Sequence, residues 1–375
     1  MAWHTNIPSF RPRAKTRSRD LAHSPLSMAS NSSGSTQGPH GDYEFTFESI
    51  IDASSLVVEH LAVDPTADDR DSETLESSVE DYPEEFGRTY HAYKEGSYAF
   101  PNDVSEQDRL EFQNGIIMSK LFDGCLHLAP FSESQPPRRV LDVATGTGDW
   151  AIQMGDLYPT AYVEGIDLSP IQPQTLPPNV RFFVQDASEP WSCMEKFDYI
   201  HTRITLGSFS DFKTEIVQQA FDNLEPGGWL ESIDLMTMWY SDDDSLDPHG
   251  PLARWARNLN IASESVNRPL SVAHKMKEWY EEVGFVDVEE RVYKIPTNGW
   301  PADPYWKDIG KLWRWNLTEG LSGFTLGLFS RVLGWTEEEI QMSLVEVRRD
   351  IQDTRIHSYE PLYVVWGRKP LPDEL

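Results

Sequence analysis

Three aspartates of the chain, Asp142, Asp167 and Asp186, each end or follow a short apolar segment. Asp142 suits a cationic group, because a pyrophosphate at that place would be repelled by its charge. Asp167 could accept two hydrogen bonds from ribose hydroxyls, and Asp186 could accept from an adenine amino group beside the backbone of Ala187. One such aspartate is more often a helix cap or a turn former. All three together favour an adenosine ligand that carries positive charge and no phosphate.

Small residues follow Asp142 in the order Ala144-Thr145-Gly146-Thr147-Gly148. A turn of this kind, between a strand and a helix, lets the backbone approach a ligand closely at the helix N-terminus. Gly146, Gly148 and Ala151 also match the dinucleotide fingerprint G-x-G-x-x-G/A, so the glycines alone leave a nicotinamide enzyme open. The charge of Asp142 argues against that alternative.

Alternating strands and helices are needed to hold these aspartates in place. Apolar runs and helical periodicity predict helices at 149–158 and 211–224, and strands at 139–143, 162–166, 180–184, 197–201 and 229–233. The alternation predicts a doubly wound α/β domain with a parallel sheet covered on both faces. We therefore expect the three aspartates at successive strand ends.

Further elements are predicted on both sides of this core. Before it, Ser105 and Asp108 resemble the cap of an N-terminal helix. After it, the pattern predicts a helix at 272–283, strands at 286–292 and 362–367, and between these strands a helical insertion whose last helix is capped by Thr336 and Glu339.

Composition limits the class of protein. The 375 residues carry 61 acidic and 32 basic side chains, a formal net charge of −29, which would repel nucleic acid and anionic lipid surfaces. No apolar run is long enough for a transmembrane helix. Cys125 and Cys193 form no paired motif, and no histidines have metal-ligand spacing. We expect no nucleic-acid, membrane or metal partner, and a reducing, cytoplasmic compartment.

The first part of the chain has a different composition from the rest. Residues 1–41 are rich in serine and hold five bases against one acid, which predicts a disordered tail, with a nuclear or mitochondrial address as an alternative. Residues 42–86 are acidic and predict a solvated linker or, alternatively, a docking site for a basic partner. The remainder, 87–370, is the predicted folded domain, divided into an N-terminal helical lid (87–135), a Rossmann-like core (139–292), a helical cap (293–355) and the last strand (362–367).

Five motifs follow one another along the predicted core: the glycine turn and then Gly165–Ser169, Gln185–Ala187, Phe197–His201 and Leu224–Gly228. In this order they resemble the motifs of class I, seven-strand methyltransferases that use S-adenosylmethionine. More narrowly, the chain is similar to the fungal LaeA-like group over most of 87–367, through the segments Gly87–Lys94, Pro101–Asp103, Ile200–Arg203, Met276–Trp279 and Val283–Phe285. The resemblance is specific for fold and cofactor but not for the methyl acceptor.

This resemblance implies S-adenosylmethionine as the cofactor and assigns residues to its parts. Asp142, Gly146 and Gly148 would hold the methionine moiety, Asp167 with Leu168 the ribose, and Asp186 with Ala187 the adenine. Ala144 stands where the family pattern usually has its first glycine. If the φ angle of Ala144 is positive, the alanine costs about 1 kcal/mol there.

Methyl transfer of this kind is an in-line attack on a sulfonium methyl group and needs no oxyanion stabilisation. Correct positioning of the two reactants can by itself lower the activation barrier by about 7 kcal/mol. His201, at the end of the fourth predicted strand, is the candidate general base, or else a hydrogen-bond partner of the backbone or cofactor. Arg88, Tyr90 and Tyr93 are candidates for a lid, with packing onto the core as the alternative.

Tryptophans are frequent in the helical insertion and could line a pocket for a flat or apolar acceptor, or pack the cap; they are Trp300, Trp306, Trp313, Trp315 and Trp335, with Phe324 and Phe329. We therefore expect methyl transfer to a small aromatic or apolar acceptor of secondary metabolism, with oxygen as the acceptor atom and nitrogen or sulfur as alternatives. The alternatives are a LaeA-like nuclear regulator with a protein partner, a protein methyltransferase attracted to basic tails, and a nicotinamide oxidoreductase.

Overall fold

The computed structural model describes residues 81–131, 135–191 and 195–374. The predicted tail, 1–41, and most of the predicted linker, 42–86, lie outside the described residues. At the end of that linker, Glu84–Glu85 (β1) pairs antiparallel with Arg88–Thr89 (β2). Regular structure therefore begins before Gly87, the predicted start of the folded domain.

Within the described residues, seven strands form one sheet: β3 (Arg139–Val143), β4 (Tyr162–Asp167), β5 (Val180–Val184), β6 (Phe197–Arg203), β7 (Leu224–Leu235), β8 (Val286–Pro296) and β9 (Tyr359–Arg368). Their spatial order is β5-β4-β3-β6-β7-β9-β8. Neighbours from β5 to β7 are parallel, and β9 is antiparallel to both β7 and β8. The predicted fold class, a doubly wound seven-strand Rossmann-like sheet, is confirmed.

Strand order reverses between β3 and β6. From β3 the chain goes outward through β4 and β5, and then returns to the other side of β3 with β6 and β7. In open α/β sheets, a crevice forms outside the carboxyl ends of the strands at such a reversal, and ligands bind there. Asp142, Asp167 and the turn after β3 lie at this edge.

Helices pack against the sheet and extend beyond it: α1 (Val104–Phe112, continued by a π-helical turn, Gln113–Met118, and by Ser119–Leu121), α2 (Asp149–Leu157), α3 (Gln219–Asn223), α4 (Pro251–Ser265), α5 (Met276–Val283), α6 (Pro304–Arg331) and α7 (Glu337–Gln352). The cap of α1 differs from the prediction. Asp103, not Ser105, accepts the N–H of Glu106, and Asp103 also pairs with Arg88. At α7, the predicted capping box of Thr336 and Glu339 is present.

Buried apolar side chains form two clusters, as expected for a sheet that is covered on both faces. Consecutive residues of β3 alternate between them: Val140 belongs to one and Leu141 to the other. The same alternation holds for Tyr199 and Ile200 on β6. The strand interior is thus apolar on both sides, and polar groups concentrate where the strands end.

The helical cap contains one more helix than the sequence indicated. Besides α6 and α7, which fall in the predicted range 293–355, it includes α4, for which no element was predicted. Trp255 of α4 donates from Nε1 to Oγ1 of Thr325 on α6 at 2.9 Å, and Asp350 of α7 accepts the N–H of Leu252 at 3.1 Å. The first residues of the predicted cap, up to Pro296, belong to β8 instead.

Candidate active site

A cavity of about 1190 Å³, its open mouth included, lies at the carboxyl ends of β3 to β6 and is called the first cavity. Most of the predicted cofactor residues line it: Ala144, Gly146, Asp167, Leu168, Asp186 and Ala187. Asp142, Gly148 and His201 do not line it. The structure thus brings the predicted residues together and divides them between the cavity wall and the layer behind it.

The turn between β3 and α2 has three residues with left-handed backbone: Ala144 (φ 56°), Gly146 (φ 60°) and Gly148 (φ 80°). The alanine therefore occupies the conformation in which we expected it to be strained. A Cβ on Gly148 would lie 2.4 Å from Cζ of Phe182, whereas a Cβ on Gly146 would meet nothing nearer than a methyl group of Leu110 at 3.9 Å. Gly148 is thus required by packing, and Gly146 leaves open space in the cavity.

Asp167, the last residue of β4, is tied to the same turn. Its Oδ2 accepts the N–H of Gly146 at 2.8 Å, and its Oδ1 accepts the N–H of Ser169 at 3.0 Å. Burial raises the pKa of Asp167, and these backbone N–H groups act in the opposite direction. A carboxylate offers about four acceptor positions, so the oxygens are held in place with capacity left for ligand hydroxyls.

Asp186 and Ala187 follow β5 and form another part of the wall of the first cavity. Oδ1 of Asp186 accepts from both N and Oγ of Ser188, at 2.9 and 2.6 Å. The carbonyl oxygen of Ala187 accepts from Nε1 of Trp191 at 2.8 Å. These local bonds fix the backbone of the segment beside the cavity.

Asp142 and His201 lie behind the turn and are buried, with only 3% and 1% of their surface exposed. Asp142 accepts from Thr145 Oγ1 at 2.6 Å and from His201 Nδ1 at 2.8 Å, and the His201 ring stacks on Trp150 at 3.7 Å. Burial lowers the pKa of His201, with the bond to Asp142 opposing. His201 lines neither described cavity, and its role as a general base stays a prediction.

The sequence reasoning missed the wall that α1 and the end of β6 contribute to the first cavity. Glu106, Gln107 and Asn114 line it, as does Arg203, whose Nη2 donates to Oδ1 of Asn114 at 2.6 Å. Burial lowers the pKa of Arg203. The spacing of these polar residues on α1 was visible in the sequence, but nothing there showed which face of the helix meets the sheet edge.

Two of the three candidate lid residues pack against other side chains. Arg88 pairs with Asp103, and Tyr90 is 2% exposed beneath the guanidinium of Arg331, 4.7 Å from its ring centroid. Neither they nor Tyr93 lines the first cavity. Two neighbours in the same segment do: His91 and Tyr98.

An adjoining cavity of about 620 Å³, its open mouth included, lies under the helical cap and is called the second cavity. Its walls are mainly aromatic and aliphatic, and include Trp239, Trp255, Trp313, Phe324, Leu259 and Leu317. Of the aromatic residues expected to line a pocket, Trp313 and Phe324 do so. Trp300, Trp306, Trp315, Trp335 and Phe329 are elsewhere in the cap, whereas Trp239 and Trp255 were not anticipated.

A buried polar network separates the two cavities. Arg109 donates to both carboxylate oxygens of Glu106 (3.0 and 2.6 Å), to Oε1 of Gln113 (3.0 Å) and to Oδ1 of Asn316 (2.8 Å). Glu106 and Gln113 line both cavities, together with Tyr98 and apolar neighbours. Glu106, Arg109 and Gln113 belong to one face of α1 and its π-helical continuation, and Asn316 belongs to α6. These two helices therefore form the boundary between the cavities.

Metal and membrane sites were also searched for in the described part of the chain. No group of three or more potential ligand side chains there could hold a metal ion. No helix within the described ranges is long and apolar enough to cross a bilayer.

A doubly wound sheet with a glycine turn and terminal carboxylates at its reversal point defines a Rossmann-like nucleotide-binding enzyme. Comparison with known proteins narrows the class. A family model described as a methyltransferase domain matches residues 105–290. Methyltransferase pytC of Aspergillus terreus is 40% identical over 298 residues, which cover 79% of this chain and 91% of pytC. Protein-methionine methyltransferase laeA of Emericella nidulans is 32% identical over 295 residues, 77% of each chain.

The chain therefore belongs to the LaeA-like family of fungal methyltransferases, and it is an enzyme that uses S-adenosylmethionine. Among solved structures, it is similar to phosphoethanolamine N-methyltransferase 2 of Haemonchus contortus with a TM-score of 0.39 and 16% identity, over 80% of this chain and 74% of that one. The first cavity fits such a cofactor, because Gly146 leaves room where a side chain would intrude, and Asp167 and Asp186 offer carboxylates to a nucleoside without phosphate.

Proposed function

We propose that this methyltransferase moves the methyl group of S-adenosylmethionine to a small, flat, apolar or aromatic acceptor of secondary metabolism that binds in the second cavity. The observation that carries the proposal is that this cavity, lined by three tryptophans, adjoins the first cavity and shares Tyr98, Glu106 and Gln113 with it. A concave site whose wall is mainly aromatic and aliphatic, with a limited set of polar groups, is typical of small-molecule binding.

The cofactor roles follow from the wall of the first cavity. Asp167 with Leu168 would bind the ribose and Asp186 with Ala187 the adenine, because these residues, at the end of β4 and after β5, lie on the wall of that cavity. Ala144 and Gly146 would contact the methionine moiety through the backbone of the turn. Asp142 and Gly148 support that turn from behind and would act on the cofactor through it.

S-adenosylmethionine, when bound, supplies an electrophilic methyl group. The protein residues then have two tasks: to align the acceptor with that group and to exclude water from the path between them. Alignment alone can lower the activation barrier by about 7 kcal/mol or more, so a dedicated base is not required. His201 would serve by holding Asp142 and, through Thr145, the turn. Glu106 accepts hydrogen bonds from Arg109 with both carboxylate oxygens and so stabilises the boundary between the two cavities.

The decisive experiment fills the second cavity without touching the first. Leu259 of α4 is 1% exposed and lines only the second cavity. Leu259→Trp should abolish methyl transfer to any acceptor found by screening phenols, carboxylic acids and thiols with labelled cofactor. Its affinity for S-adenosylhomocysteine should stay within about threefold of the wild type.

The matched control is Ile261→Trp, on the same helix but 58% exposed to solvent. It makes the same kind of enlargement outside the cavity and should retain full turnover. If Leu259→Trp remains as active as this control, the acceptor does not use the second cavity and the proposal is refuted.

A second candidate function is methylation of a protein or regulation through a protein partner, in the cytoplasm or nucleus. Its support is the similarity to laeA of Emericella nidulans, whose name describes a protein-methionine methyltransferase, and the net charge of −29, which would attract basic partners. Label transfer to histones at moderate salt would favour this candidate. Turnover of small acceptors that Leu259→Trp abolishes would favour the first.

A further inference from the structure

Glu360 is a carboxyl group that the chemistry described above leaves unused. It lies on β9, is 2% exposed and lines the second cavity. Its Oε2 accepts from Nε1 of Trp313 at 3.1 Å, and no basic side chain of the described residues pairs with it. Arg109, which also lines this cavity, directs four of its five N–H donors to Glu106, Gln113 and Asn316.

The surroundings of Glu360 favour its neutral form. Burial raises its pKa to about 8, with the Trp313 bond opposing and the nearby carboxyl of Asp234 adding to the rise. A neutral carboxyl has one O–H donor. Because Oε2 is the oxygen that accepts from Trp313, the proton belongs on Oε1, which has no acceptor among the described side chains.

A second donor in the same cavity also lacks an acceptor. Nε1 of Trp239 is buried and has no hydrogen-bond partner in the described part of the chain, and Trp239 lines the second cavity. A buried donor without a partner is unfavourable, because it has lost its hydrogen bonds to water and gained no acceptor. Nε1 of Trp239 is covered by its neighbours, so the donor that the second cavity offers to a ligand is the carboxyl group of Glu360.

We propose that the second cavity binds a neutral, flat molecule through a carbonyl-type oxygen that accepts a hydrogen bond from Glu360, so that Glu360 determines which acceptors bind. The inference rests on the proposed function and adds the chemical class of the acceptor. An anion would lie beside the carboxyl group of Glu360, and four of the five N–H donors of Arg109 are already engaged by protein acceptors. An ammonium group could contact the tryptophan faces, but it would require Glu360 to ionise in an apolar cavity.

Three naphthalenes of similar shape and different charge test this class: 2-acetylnaphthalene, 2-naphthoate and 2-naphthylmethylammonium. Calorimetry with the full chain and saturating S-adenosylhomocysteine measures their dissociation constants. The ketone should bind the wild type, and the naphthoate and the ammonium compound at least about tenfold more weakly.

Two substitutions distinguish a donating carboxyl from a charged one. Glu360→Gln keeps a donor for the ligand and an oxygen for Trp313, so the ketone should bind within about threefold of the wild type. Glu360→Leu removes both and should weaken the ketone about tenfold. Glu346→Gln, at an exposed glutamate of α7, is the control and should change nothing. Thermal melts verify that each variant is folded.

The inference is overturned if the wild type fails to bind the ketone, if it prefers the ammonium compound and loses it in Glu360→Gln, or if Glu360→Leu binds the ketone as well as the wild type does. Failure of the proposed function gives a different result. In that case Leu259→Trp would leave methyl transfer intact, whatever the Glu360 variants bind.

Discussion

The turn between β3 and α2 predicts that replacing its alanine by glycine stabilises the protein, whereas replacing either of its glycines by alanine destabilises it. Ala144, Gly146 and Gly148 all have positive φ angles, 56°, 60° and 80°. A left-handed L-residue costs about 1–2 kcal/mol in the folded state, whereas a glycine costs roughly 0.4–1 kcal/mol through the greater freedom of the unfolded chain. Ala144→Gly should therefore increase the free energy of unfolding by about 0.5–1 kcal/mol.

The reverse exchanges should destabilise the protein by different amounts. A Cβ on Gly146 would have no neighbour closer than 3.9 Å, so only backbone strain applies and the loss should be about 0.5–1 kcal/mol. A Cβ on Gly148 would lie 2.4 Å from Cζ of Phe182, so the ring or the turn must move. Overpacking of this kind adds about 1–3 kcal/mol, which brings the expected loss to roughly 2–4 kcal/mol.

Urea unfolding of the three variants beside the wild type measures these differences directly, and thermal melts should shift in the same order, by roughly 1.5–2 °C for each kcal/mol in a domain of this size. The reasoning is refuted if Ala144→Gly lowers stability, because the alanine would then not be strained. Equal losses in Gly146→Ala and Gly148→Ala would show that contact with Phe182 does not limit the turn.

Three more predictions follow from the site. Asp167→Ala should weaken binding of S-adenosylhomocysteine by about 2 kcal/mol, roughly 30-fold, while the exposed control Asp156→Ala leaves it unchanged in calorimetry. His201→Phe preserves the stack on Trp150 but removes one hydrogen-bond partner of Asp142. We therefore expect weaker cofactor binding and an unaltered pH–rate profile. Loss of one limb of that profile would instead identify His201 as a base. Glu360, with its pKa raised from 4.5 to about 8, keeps a proton in the folded state that the unfolded state loses, so stability falls as pH rises from about 4.5 to 8. Glu360→Gln removes that fall, and its melting temperature should gain on the wild type between pH 5 and pH 8.5; parallel curves would contradict the raised pKa.

The sequence by itself was sufficient for the parts of the fold that depend on local pattern. Apolar runs that end in aspartate and alternate with helical periodicity predicted β3 to β7, because a strand buried on both faces must be apolar over most of its length. The turn chemistry of Gly146 and Gly148 was equally local, and so was the strain at Ala144, since a strand that enters a helix through so few residues needs left-handed backbone.

Long-range packing decided the rest. The aspartate pattern could not show that Asp142 lies behind the turn and is paired with His201, because that contact joins two separate strands. The local pattern predicted Ser105 as the cap of α1, whereas Asp103 caps this helix and also pairs with Arg88 of β2.

The second cavity is the clearest case of a feature that only the tertiary structure determines. Its walls come from α1, α4, α6, β7 and β9, so residues as distant in sequence as Glu106, Trp239 and Glu360 meet there. Each of them has an ordinary local pattern: an acid on a helix, an aromatic residue after a strand, a glutamate within a strand. Hydrophobic periodicity predicts that a face of a helix or strand is buried, but it does not predict which element packs against that face. The chemistry of this site depends on the cavity that the buried faces enclose.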